Sequence, residues 1–295
     1  MTKIIKLLLI VFYLGLYLFI PAVGFCQEEN FEADSDQQIL QFELSGFGDK
    51  GKRAWDVEGK SADIFSETVK LNDIVANVYG EEDNVNLTAD SGVYNKAQGS
   101  VHLQDNVVVT TESGAKLVTD SLDWQQQTQQ VSTKDNVDIV KQNIKVVGKG
   151  IEAEPNLKKV KLNEEVKVDI ENSDFSFSSE EEDKAQGEDK EPITITCDGP
   201  LNVDYENQIA VFNNNVKVTH SQGSMQADKM IIHFDMKGKS IERVESHGNV
   251  KILNGENITY SQEAIYTAKD KKVVLTGRPR LVIYSSGGLD ASFGN

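Results

Sequence analysis

Apolar and polar residues alternate along this chain in short recurring runs. Val107 and Val109, Val137 and Ile139, Val166 with Val168 and Ile170, Val216 and Val218, and Val250 and Ile252 each mark one, with Asp, Lys, Asn or Thr between. A period of two is that of a β-strand with one buried face. The valine that leads each run stands at 107, 137, 166, 216 and 250, so the steps are 30, 29, 50 and 34 residues. The long step contains the acidic run 172–191, and without it the step matches its neighbours. One hairpin-sized unit is therefore repeated on both sides of an interruption.

Within a unit the pattern gives more than strands. Leu87–Val109, LTADSGVYNKAQGSVHLQDNVVV, reads as a strand, a turn at Asn95–Gly99, and a second strand bent at Asp105–Asn106. Leu117–Ile139, Val146–Val168, Met225–Ile252 and Ile258–Ile283 restate it. In MQADKMIIHF the alternation changes phase after Asp228: Met225 and Ala227 lead, then Met230, Ile232 and Phe234 follow. A phase change of one residue is what a β-bulge, or a strand passing from one sheet to another, produces. Repeated bends in long strands predict an all-β fold of sheets curling into a rolled sandwich. No stretch beyond the leader carries apolar residues at helical spacing.

The ends and the middle read differently. Lys3 and Lys6 precede the uncharged run Leu7–Ile20, and small residues up to Cys26 are followed by Gln27-Glu-Glu. That is an export signal, and the run is also long enough to span a bilayer. Cleavage after Cys26 and retention of residues 4–25 as an anchor both stay open, and either takes the bulk of the chain out of the cytoplasm. Residues 27–38 read as a flexible tether, 172–191 as a solvated acidic linker or loop, and 286–295 as a mobile tail.

Charge and composition then remove whole classes of function. With 30 Lys+Arg against 47 Asp+Glu the net charge is −17, and the basic stripe that a nucleic-acid partner requires is missing. Cys26 and Cys197 cannot make a disulfide framework or a cysteine metal site. His102, His220, His233 and His247 have no metal-ligand spacing. No nucleophile elbow, zinc-protease helix, phosphate loop or dinucleotide loop occurs. Asp90, Asp120 and Asp228 recur just before the bends, which fits turn-forming bonds to backbone better than paired catalytic carboxylates. The pattern therefore yields no active site, no metal and no cofactor.

The aliphatic rows remain. Val107, Val109, Val137, Ile139, Val166, Val168, Val216, Val218, Met230, Ile232, Val250 and Ile252 are either plain sandwich core or the lining of a groove for acyl chains. Each CH₂ that such a groove buries contributes roughly 0.8 kcal/mol. Interior and groove share one signature, so both readings stand.

These residues also resemble a known family. Met225-x-Ala-Asp-x-Met-x-Ile, then Gly248-Asn-Val-x-Ile, then Thr276-Gly-x-Pro is similar to the soluble A component (LptA) of the OstA-like proteins of lipopolysaccharide export. Leu87-Thr-Ala-Asp-Ser-Gly-Val-Tyr94, with Gly51-Lys-Arg-Ala-Trp55, Gly59-Lys-Ser-Ala62 and Val75–Tyr79, resembles the membrane-tethered C component (LptC). The resemblance implies two tandem β-jellyrolls, a C-type domain over 39–171 and an A-type domain over 192–285. It implies a non-enzymatic periplasmic bridge, with the twelve aliphatic residues lining a groove for lipopolysaccharide acyl chains. It implies as partners the inner-membrane ABC transporter subunits and the outer-membrane translocon, with head-to-tail self-association by strand pairing. A structural or adhesive envelope protein without a lipid ligand is the other reading. An exported carbohydrate-active enzyme lacks the convergent acid pair it would need.

Overall fold

In a computed structural model, the structure describes residues 35–283 apart from 49–50, 81–82, 126, 129, 155–157, 172–191, 222, 236–239 and 271. The leader, most of the tether, the acidic run and the tail fall outside the described residues. Among the described residues every element is a β-strand and the strands pair antiparallel with their neighbours, so the all-β expectation holds. Contacts divide the chain into two compact units, Met1–Gln142 with Lys149–Val160, and Asn143–Gly148 with Lys161–Asn295.

The first unit is a meander of β1 (Gln37–Phe47), β2 (Arg53–Ile64), β3 (Thr68–Tyr79), β4 (Asn84–Asn95), β5 (Ser100–Thr111), β6 (Ala115–Gln125) and β7 (Gln130–Lys141), with part of β8 (Ile144–Glu154). Alternation sets its faces. Val57, Ala76, Leu87, Val109, Leu117 and Ile139 stand opposite one another across six strands as one inner row. Ile74, Ala89, Leu103, Val107 and Leu122 form the core on which that side closes. Near mid-strand the register slips, between Thr88 and Ser91 and between Gln104 and Val107, and Asp105 and Asn106 take positive φ angles of 63° and 52°. The bend read at Asp105–Asn106 is therefore a bulge in left-handed backbone. At the first hairpin the Trp55 indole lies on Gly46, where a Cβ would stand 1.8 Å from Nε1. Only glycine permits that approach.

The second unit begins with the start of β8 and β9 (Lys159–Ile170), then continues through β10 (Ile193–Cys197), β11 (Leu201–Asp204), β12 (Ile209–His220), β13 (Gly223–Asp235), β14 (Ser240–Asn254), β15 (Asn257–Thr267), β16 (Lys272–Thr276) and β17 (Arg280–Val282). β9 and β10 pair from Ile170 with Ile193 to Val166 with Cys197. The acidic run thus stands where a hairpin loop would, which is why removing it restores the repeat length. β10 and β11 both pair with β12, as one strand broken at Asp198-Gly199-Pro200. β16 and β17 both pair with β15, broken at Gly277-Arg278-Pro279. Proline withholds a ladder donor and is placed at such breaks. Bulges at Asn213–Val216, Gln226–Lys229 and His247–Val250 bend β12, β13 and β14 in turn. The phase change read in MQADKMIIHF is the second of these.

Candidate functional site

Of the twelve aliphatic residues singled out from the sequence, Val107, Val137, Val166, Val168, Val216, Val218, Met230, Ile232 and Val250 are buried. Val109, Ile139 and Ile252 are half-buried. The structure does not gather the twelve into one place. In the first unit, Val107 belongs to the core with Ile74 and Leu103, and Val109 packs against it. Thr119 stands in register between Val107 and Val137, buried, with its hydroxyl unpartnered. In the second unit, Val250 packs with Ala227 and Ala264, and Ile252 joins them.

Val218, Met230 and Ile232 do converge. They line a cleft of the second unit together with Ile170, Ile193, Ile195, Met225, Ile241 and Val244. Every lining residue is aliphatic or Met. Alternation explains the convergence: Ile195 stands opposite Val168 and Val218, and Val218 opposite Met225. The bulge at Ala227–Asp228 then keeps Met230 and Ile232 on the face that Met225 began. Its volume as it stands is about 20 Å³, room for about one water. Beside it Ser246, buried, donates its hydroxyl to Met225 Sδ at 3.1 Å. The cleft can therefore bind by apolar contact and by little else.

Ile170, Ile193 and Ile195 were missed as site residues because they flank the acidic run, where the repeat pattern is interrupted. Their clue was local alternation on each side of it, Val166-x-Val168-x-Ile170 and Ile193-x-Ile195.

The polar candidates have other work. Asn106 donates to Asp90 at 2.6 Å, and Asn249 to Asp228 at 2.9 Å. Asp90 and Asp228 thus bond a side-chain amide, where bonds to backbone were expected. Asn215 and Asp198 make a third such pair. His102 Nδ1 lies 2.6 Å from Asp123, and His233 Nε2 lies 2.9 Å from Glu245. His247 stands 3.6 Å from both Glu245 and Glu263. Among the described residues no three His, Cys, Asp or Glu are placed to hold a metal ion. Burial pushes the Cys197 thiol up, so it is held protonated.

Residues 6–171 match the family described as lipopolysaccharide-assembly, LptC-related, over more than half of the chain. The chain belongs to that LptC-related family. Residues 195–292 match a second family, described as LptA/(LptD N-terminal domain) LPS transport protein. The tandem of C-like and A-like stretches expected from the sequence is thus present, and the chain has a role in lipopolysaccharide transport. The crystal structure of LptH, the LptA-homologous periplasmic component of the lipopolysaccharide transport device of Pseudomonas aeruginosa, is similar at 13% identity, covering 68% of this chain and 95% of that one. Its TM-score is 0.21. A comparison with curated proteins gave no match.

Proposed function

We propose that the LptC-related chain is a non-enzymatic lipid bridge, which takes lipopolysaccharide from an inner-membrane ABC transporter and passes it toward an outer-membrane translocon. The observation that carries this reading is the all-apolar cleft around Val218, Met230 and Ile232. Acyl chains would lie against it while the sugars stay in water. The net charge of −17 works against holding phosphates by attraction, so apolar contact is the driving term. The twelve aliphatic residues form the lining and its support in two tandem jellyrolls. The chain works in the periplasm, as a cleaved protein or tethered through residues 4–25, and self-associates head to tail by strand pairing.

At about 20 Å³ the cleft admits no acyl chain until its walls part. Entry therefore requires the second unit to open along this seam. A photo-crosslinker at Met230 is expected to capture lipopolysaccharide, and one at Lys217, exposed on the opposite face of β12, is not. Equal capture at both positions overturns the groove.

The closed cleft also favours the second reading, a structural envelope protein whose repeats only build length. That reading predicts no bound lipid. Accumulation of lipopolysaccharide in the inner membrane on depletion of the protein would eliminate it.

A further inference from the structure

The first unit carries a second feature, on the face of its sheet away from the core. Asp56, Asn77, Asn86, Thr110 and Lys116 stand opposite one another across β2 to β6 as a polar row. Their chain neighbours Trp55, Val57, Leu87 and Val109 point to the other side, into or against the core. The row opens on a recess of about 270 Å³ lined by Asn77, Tyr79, Asn84, Asn86, Thr110 and Glu112, with Val78, Val85 and Thr111 completing its wall.

Its side chains are fixed in direction. The Asp56 carboxylate has only 9% of its side chain exposed, and it accepts bonds from Asn77 Nδ2 at 2.7 Å, Tyr79 OH at 2.7 Å and Arg53 Nη1 at 3.2 Å. A carboxylate only accepts, so Asn77 must turn its amide nitrogen toward Asp56 and its carbonyl outward. Asn86 then donates to that carbonyl, Nδ2 to Oδ1 at 2.8 Å. One N–H and the carbonyl of Asn86 are left to face the recess. Asn84 is held in the same manner by Glu112, at 2.7 Å. The ordering entropy of these amides is thus met before any ligand arrives.

We propose that this outer ladder binds the hydroxyl groups of a saccharide. Amide N–H beside amide C=O matches a hydroxyl, which donates and accepts at once, and the Thr110 hydroxyl continues the row. An anion is disfavoured by Glu112 in the lining and by the charge of −17, with Lys116, at the far end of the row, outside the lining. A bare cation is disfavoured because Asp56 is already filled and Glu112 is bonded to Asn84. The saccharide could belong to a glycolipid headgroup or to a free glycan, and the ladder reads the same hydroxyl chemistry in both.

The test uses the full chain and saturation-transfer NMR with two soluble probes: the acyl-free oligosaccharide released from lipopolysaccharide by mild acid, and a neutral maltooligosaccharide. Variants Asn86→Ala and Thr110→Val are each expected to weaken binding by roughly tenfold or more, with circular dichroism and melting close to those of the parent. Transfer from both probes, sensitive to these variants, assigns the site to free glycans as well. Transfer from the first probe alone assigns it to the headgroup. No transfer from either, or transfer unchanged in both folded variants, overturns the site. Val218→Asp separates this site from the cleft. It is expected to abolish lipid capture and leave saccharide binding intact, so the two readings fail independently.

Discussion

Asn106, Asn215 and Asn249 sit in left-handed backbone, with φ of 52°, 50° and 46°, and each donates its side-chain amide to an aspartate, Asp90, Asp198 or Asp228. Asn tolerates that region better than other side chains with a Cβ, and its amide adds a bond across the bulge. Asn249→Ala should cost about 1–2 kcal/mol, from one lost hydrogen bond and added backbone strain. Asn249→Gly should cost less, since glycine restores the backbone and forfeits only the bond. Urea midpoints of the two variants decide it; equal losses would mean the φ angle is immaterial. Gly248→Ala, at φ 74° with its Cβ 2.3 Å from Asp228 Oδ2, should cost more than either. Asp56 supplies the pH prediction. Burial raises its pKa, but hydrogen bonds from Asn77 and Tyr79 and the charge of Arg53 together hold it below the usual carboxylate range. A depressed folded pKa contributes stability that is present above the unfolded value, about 4, and is lost as pH falls through the folded one. Asp56→Asn should therefore flatten the loss of stability below about pH 4, read by melting at stepped pH. An unchanged acid limb would contradict it.

At the scale of elements, the bent strands and their turns were legible because alternation and its phase changes are local. Asp105–Asn106 and MQADKMIIHF announced their bulges in the order of residues alone. The pairing of β9 with β10 was not legible, because it joins segments separated by the acidic run, and no local pattern records which strand meets which. The direction of the aspartate bonds was missed for the same reason: Asp90 reaches Asn106, 16 positions on. Replacing 172–191 with a short Asn-Gly turn should leave both units folded and add about 1.5 kcal/mol, since loop-closure cost falls by about 0.6 kcal/mol for each halving of length. Loss of the folded state in that variant would show that β9 and β10 do not form a hairpin pair.

For the whole molecule, the resemblance carried by Leu87–Tyr94, Met225–Ile232 and Gly248–Ile252 implied the transport family before any coordinates, yet alternation could not separate core from groove. Nine of the twelve proposed lining residues are buried, but only Val218, Met230 and Ile232 of them meet in the apolar cleft. Alternation is a property of single strands; a cleft is a property of several brought together. The central claim is that this cleft opens to hold lipid. Native mass spectrometry of the full chain, released from detergent after incubation with lipopolysaccharide, tests it most directly. The account predicts a saturable adduct of at least one lipid that disappears in a folded Val218→Asp variant. A folded wild-type chain that takes up no lipid would contradict it.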